Sequence, residues 1–259
     1  MTALLTAGGG FSLADFFSSH SGVIGQILKI VWIDLILSGD NAVLIALACR
    51  SLPDRRQRRA GIILGAAVAI ILRIVFAGTV THLLDIPYLK LIGGVLLFWI
   101  AVKLLIGEDE DEPNITAHDR LWRAVGTIAL ADVLMSLDNV IAVAAVAKGS
   151  VWLIAFGVAL SIPLIIWGSS LVLAMIARFP VIIWLGAALL GWIAGELIAS
   201  EIQLRETMHA IARSIGISTP ALHHVVALTF VVLTLLVGWF IMRRAKRAKV
   251  AVKNENAAT

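Results

Sequence analysis

Long apolar runs alternate with short polar stretches along the chain. Runs at residues 24–47, 61–81, 88–106, 125–147, 151–174, 181–200 and 221–242 are each close to the ~20 residues that cross a bilayer as a helix. They are continuous Leu, Ile, Val and Ala, without the two-residue alternation of a transmembrane β-barrel strand. The pattern predicts an all-α membrane protein with seven transmembrane helices. Two runs are broken in their middle by polar residues: DLILSGDNAVLIAL at 34–47 and DVLMSLDNVIAVAA at 132–145. Aligning them pairs Asp34 with Asp132, Ser38 with Ser136, Asp40 with Asp138 and Asn41 with Asn139.

Composition agrees with this picture. Residues are 60% hydrophobic and 15% charged, and the mean hydropathy is +0.97, outside the range of soluble domains. A net charge of +4 would hint at nucleic acid in a soluble protein. Here the basic residues flank spans, so they report orientation and no nucleic-acid partner is expected. Arg50, Arg55, Arg56, Arg58 and Arg59 crowd the first loop, and Arg243, Arg244, Lys246, Arg247 and Lys249 follow the last run. The positive-inside rule makes both cytoplasmic, which with seven spans puts the N-terminus outside. The first twenty or so residues lack a basic n-region before an apolar core, so no cleaved signal peptide is expected. Cys49 is the only cysteine and reads as a packing residue.

A second repeat signal lies in the third and sixth runs. LKLIGGVLLFWIAVKLL and IIWLGAALLGWIAGELI align Gly93 with Gly186, Trp99 with Trp192 and Ala101 with Ala194. Three spans per unit force the second unit to enter from the opposite side, so the chain reads as two inverted three-helix repeats plus one extra helix. The expected division is repeat one at 23–107, an acidic cytoplasmic linker at 108–120, repeat two at 121–200, an external loop at 201–220, a seventh helix at 221–242 and a basic cytoplasmic tail at 243–259. Gly61 and Gly65, four residues apart in the second run, would let helices approach closely.

Charged groups at membrane depth cost about 2.5 to 3.5 kcal/mol each at a helix centre, so they face a cavity or a partner. Packing glue through hydrogen bonds is the plain alternative for Asp34, Asp40, Asp132 and Asp138, but it explains the duplicated spacing poorly. On a helix Asp34, Ser38 and Asn41 share one stripe, while Asp40 points about 120° away. Carboxylate, hydroxyl and amide oxygens suit hard divalent cations such as Mg²⁺, Ca²⁺ and Mn²⁺, and the motifs hold neither Cys nor His. Counting about 1.5 Å per residue, inverted topology sets all four acids within roughly 6 Å of the midplane and suggests two cross-repeat pairs, Asp34 with Asp138 and Asp40 with Asp132. Arg73 is the expected intramembrane countercharge, the alternative being that its guanidinium snorkels to the interface. Proton coupling follows as an expectation. Inversion sets Lys103 and Glu196, which align in the repeats, at opposite faces. His82, His209, His223 and His224 fall near ends or in loops and are assigned no ligand role.

At DLILSGDNAVLIAL and DVLMSLDNVIAVAAVAKGS the chain resembles the TerC family of integral membrane proteins, in its YjbE-type branch within the wider LysE-like transporter superfamily. The resemblance covers most of residues 20–242. It implies a bacterial inner (plasma) membrane location, a role in metal homeostasis and export of Mn²⁺, with Ca²⁺ as the other candidate. It carries the metal positions to Asp34, Asp40, Asp132 and Asp138, and the polar partners to Asn41 and Asn139; the motif spacing and the charge balance add Ser38, Ser136 and Arg73 as polar support or countercharge. No resident cofactor and no enzymatic activity are expected, the partners are the metal ion and the bilayer, and a homo-oligomer is left open. The alternative function is a metal-binding membrane scaffold that assists insertion or metalation of other proteins. An intramembrane aspartyl hydrolase ranks below both, because a repeated four acids exceeds the two such chemistry uses.

Overall fold

The computed structural model describes residues 25, 27, 30, 31, 39–84, 86–107, 116–146 and 151–256, and every regular element among them is helical. The helices are α1 (Gly39–Cys49), α2 (Arg55–Leu84), α3 (Leu89–Ile106), α4 (Ala117–Val146), α5 (Val151–Arg178), α6 (Val181–Ala199), α7 (Arg205–Ile215) and α8 (Thr219–Asn256), with a 3-10 turn at Ile202–Leu204 before α7. Upstream of α1, Gly25, Ile27, Ile30 and Val31 are also helical. In hydrocarbon a helix satisfies its own backbone groups, which is why apolar runs of this length adopt it.

Among the described residues, five helices contain segments long and apolar enough to cross a membrane: Arg55–Phe76, Leu89–Ile106, Ala155–Arg178, Val181–Ala199 and Thr219–Ala245. These are the second, third, fifth, sixth and seventh runs of the sequence. The fourth run falls inside α4, and the first is described from Gly39 onward as α1. Large apolar side chains on these helices face outward, among them Ile71, Val75, Trp99, Trp167, Leu185 and Leu236. So broad an apolar exterior belongs in lipid rather than water.

The helices pack in a definite order. α2 lies against α4, α1 against α5, and α2 also meets α5; α3 packs on α6, and α8 covers α6 and α3. Two close approaches fix the inner pairs. Gly65 of α2 meets Ile128 of α4, and Gly157 of α5 meets the buried Ile30, so tightly that a Cβ at either glycine would run into the isoleucine. A core of Leu44, Leu47, Leu52, Ile62, Ala66, Leu97, Ile100, Leu104, Ala124 and Ile128 fills the half of the bundle nearer Arg55–Arg59.

Two features differ from the sequence reading. The stretch 201–220, expected as a loop, carries α7, and the expected tail continues α8 as helix to Asn256. Eleven residues with alternating charge escape a search for apolar spans. Yet Met208, Ile211, Ala212 and Ile215 recur at i, i+3, i+4 and i+7, the mark of an amphipathic helix. Beyond residue 242, Arg, Lys and Ala are strong helix formers that extend a turn already begun. The polar ends also regularise. Arg55 and Arg56 open α2, and α4 begins at a cap where Thr116 Oγ1 accepts from Asp119 N at 3.2 Å while Asp119 Oδ2 accepts from Thr116 Oγ1 at 2.6 Å.

Candidate functional site

α1, α2 and α4 bring five of the nine singled-out residues into the interior. Asp132 and Ser136 stand one turn apart on α4, on one stripe, and Arg73 reaches them from α2. Arg73 Nη2 donates to Asp132 Oδ1 at 2.6 Å and Arg73 Nε to Ser136 Oγ at 3.2 Å. Ser136 Oγ closes the ring by donating to Asp132 Oδ2, also at 3.2 Å. The three residues are 3%, 2% and 1% exposed, so the guanidinium is held within the protein and does not snorkel to the interface. Removing two opposite charges from water is tolerable only with such geometry, where every strong donor and acceptor meets a partner.

Asp40 and Asn41 open α1. Asn41 N donates to Asp40 Oδ1 at 2.8 Å, so the carboxylate turns back over the first turn of its own helix. Asp40 lies within electrostatic reach of both Arg73 and Asp132. Arg73 thus pairs directly with the acid of the second motif and lies in the electrostatic field of one from the first. Asn41 is 3% exposed, and among the described residues neither its Nδ2 nor its Oδ1 has a hydrogen-bond partner. Leaving a buried amide unpaired costs about 1–3 kcal/mol, and most native buried polar groups avoid it.

The remaining candidates are placed less fully. Asp34 and Ser38 lie outside the described residues. Asp138 and Asn139 belong to α4, two turns past Asp132, but their side chains lie outside the described set. Among the described residues no group of three or more His, Cys, Asp and Glu gathers at metal distance. The pairing of Arg73 with Asp132 and Ser136 was not assigned from the sequence; the i, i+4 stripe on α4 was its available signal. Lys103 and Glu196 are at opposite ends of the bundle: Lys103 Nζ lies 5.6 Å over the Trp99 ring, and Glu196 Oε1 is 3.9 Å from His224 Nδ1.

The residues that precede the two acidic motifs make similar contacts around this centre. Ile30 and Ile128 each stand four residues before the first aspartate of their motif, and each is met by a glycine of the neighbouring long helix. Eight residues after Gly65 comes Arg73; eight after Gly157 comes Ile165. The second half thus has no arginine at the matching position.

The model of the integral membrane protein TerC family matches residues 19–249. Uncharacterized membrane protein YjbE of Bacillus subtilis (strain 168) is 46% identical over 179 residues, covering 69% of this chain and 81% of that one. Uncharacterized membrane protein YceF of the same organism is 28% identical over 185 residues, covering 68% and 71%. No solved structure matches. A match across so much of the chain, together with the apolar helical bundle and the paired acidic motifs, identifies the chain as a member of the TerC family of integral membrane proteins.

Proposed function

We propose that this protein carries divalent metal cations across a bacterial inner membrane, with Mn²⁺ as the favoured substrate and efflux as the direction. The ion is held by Asp40, Asn41 and Asp132 with Asp34, Asp138 and Asn139, and Ser38 and Ser136 support it. The observation that carries the reading is Asn41, buried beside Asp40 with both amide atoms unpaired among the described residues. An orphaned amide oxygen next to the Asp40 carboxylate offers hard oxygen ligands of the kind Mn²⁺ accepts.

In this reading Arg73 stands in for the cargo. Its guanidinium occupies Asp132, and an arriving dication competes with it for that carboxylate. With the arginine and one dication present, four carboxylates retain about one negative charge, which accommodates a proton when the metal leaves.

The seven-span, inverted-repeat architecture belongs to the same proposal. Exchanging α1 with α4, α2 with α5 and α3 with α6 turns the α2–α4 contact into the α5–α1 contact and α1–α6 into α4–α3, and both members of each pair are present. Such an exchange is what a pseudo-two-fold axis in the membrane plane would produce. Seven spans set the two termini on opposite sides, and the basic flanks of α2 and α8 favour an N-terminus outside and a C-terminus in the cytoplasm.

Mn²⁺ uptake into inside-out vesicles, with an imposed pH gradient and Asp40→Asn beside the native protein, tests substrate, direction and coupling together. The native protein accumulates Mn²⁺ and Asp40→Asn does not. Equal accumulation in both, or Mn²⁺ bound without protein-dependent flux, would contradict transport through this site, the latter favouring a scaffold.

A further inference from the structure

At the end of the bundle opposite Arg55–Arg59, the end of α6, the 3-10 turn, α7 and the start of α8 enclose a cavity of about 630 Å³. Its lining includes Glu201, Arg205, Met208, His209, Thr219 and His223. That volume lies in the range of ligand-binding clefts.

The charges are arranged for an anion. Glu201 is the cavity's only carboxylate among the described lining, it is 3% exposed, and it is already engaged: Oε2 accepts from Leu91 N at 3.1 Å and Oε1 from Gln203 N at 3.5 Å. Of the other carboxylates at this end, Glu196 faces His224 and Glu206, on α7, is outside the lining. Among the described residues neither Arg205 nor His223 has a hydrogen-bond or ion-pair partner. His209 is steadied by a 3.0 Å contact of its Nδ1 with Thr219 Oγ1. A free guanidinium, a free imidazole and a second, anchored imidazole therefore border one space. Planar guanidinium donors match phosphate oxygens, and an imidazole N–H donates in either protonation state.

Where the cavity lies identifies the source of the phosphate. α7 is tied at both ends to membrane-crossing helices, by five residues that include the 3-10 turn after α6 and by three residues before α8, so it rests at the bilayer surface. Its apolar stripe is satisfied by protein only at Ala212, which is buried; Ile211 and Ile215 remain 41% and 57% exposed. Glu206, His209 and Arg213 lie on the side away from these isoleucines, and Arg205 flanks the stripe next to Ala212, on the face that lines the cavity. A short helix with that division lies in the interface with its isoleucines toward acyl chains. The headgroup layer then meets the mouth of the cavity.

We propose that this cavity binds the phosphate of an anionic phospholipid headgroup, held by Arg205 and His223 beneath the interfacial helix α7. The test is native mass spectrometry of the full chain, delipidated in detergent and titrated with phosphatidylglycerol, phosphatidylcholine or glycerol 3-phosphate. Phosphatidylglycerol binds best, and Arg205→Gln with His223→Ala weakens it by about tenfold, as expected for lost charge-assisted bonds. Arg213→Ala, on the exposed side of the same helix, leaves binding unchanged. Equal binding to native and Arg205→Gln proteins, or an equal loss on Arg213→Ala, would overturn the site. Glycerol 3-phosphate binding as tightly as the lipid would overturn the lipid assignment. Unchanged melting of Arg205→Gln shows that a loss is not unfolding; if the double variant misfolds, the single one decides.

Discussion

Arg73 compensates a carboxylate that would otherwise be stranded in the bundle interior, and its removal should show two separable effects. Deleting one member of a buried pair costs about 3–5 kcal/mol because the other charge is left unmatched. Arg73→Ala should therefore lower the melting temperature, and adding Asp132→Asn should restore much of it by leaving no buried charge. If Arg73 also balances the site during transport, Arg73→Ala impairs Mn²⁺ flux or displaces its pH profile. Unchanged flux at every pH would remove that role. Arg73→Lys keeps the charge but loses the Nε bond to Ser136, so it should fall between. Asn41 predicts the reverse relation between stability and function. Asn41→Leu abolishes an unpaired buried amide and should stabilise the fold by about 1–2 kcal/mol, while lowering Mn²⁺ affinity. Thermal melts and Mn²⁺ titrations of the same sample check both signs. The polar residues of the motif were legible from the sequence because hydrocarbon makes each one conspicuous. Their partners were not, since a helix stripe gives direction around one axis but no distance to the next helix.

At the scale of the elements, glycine sets how closely helices approach. Overpacking a tight contact costs about 1–3 kcal/mol. Gly157→Ala should be the more damaging, because the new methyl meets the Ile30 Cβ at 2.9 Å as well as Cγ2; at Gly65 the nearest atom is the flexible Cδ1 of Ile128, and its Cβ lies at 3.5 Å. Comparative melting of the two variants checks the order. The start of α4 makes a pH-dependent prediction. Hydrogen bonds from Thr116, chiefly its hydroxyl, hold the exposed Asp119 carboxyl below its ordinary value of 3.8. A depressed folded pKa contributes stability above the free value and loses it as pH falls through the folded one. Amide protection at 117–121, corrected for intrinsic exchange, should thus persist at neutral pH, fall only in acid below 3.8, and be reduced at all pH values in Thr116→Ala. Hydropathy located the long helices well but set their starts late: α2 begins at Arg55 rather than 61 and α4 at Ala117 rather than 125. Charged first turns belong to a helix without belonging to the membrane. The same cause hid α7, whose apolar stripe is half a surface rather than a span.

For the whole molecule, the basic flanks of α2 and α8 and an odd number of spans predict one topology. In a Cys49→Ala background, Glu206→Cys should react with a membrane-impermeant maleimide in intact cells, and Arg247→Cys only after permeabilisation. The opposite result would invert the bundle and with it the direction of flux. The membrane class and helical architecture could be read from composition and run length. The packing that unites the halves, Gly65 on Ile128 and Gly157 on Ile30, could not, because small residues are common in apolar helices and nothing in a single chain marks which of them touch.

The central claim is that one ion is shared between the two motifs, with Asp40 from the first and Asp132 from the second. A double-mutant cycle on Mn²⁺ affinity tests it most directly, titrating native, Asp40→Asn, Asp132→Asn and double-variant proteins under one buffer condition. Shared ligation predicts that each single change weakens binding by about tenfold or more, while the double change falls well short of the product of the two. Strictly multiplicative losses, or an Asp132→Asn protein that binds Mn²⁺ like the native one, would contradict it.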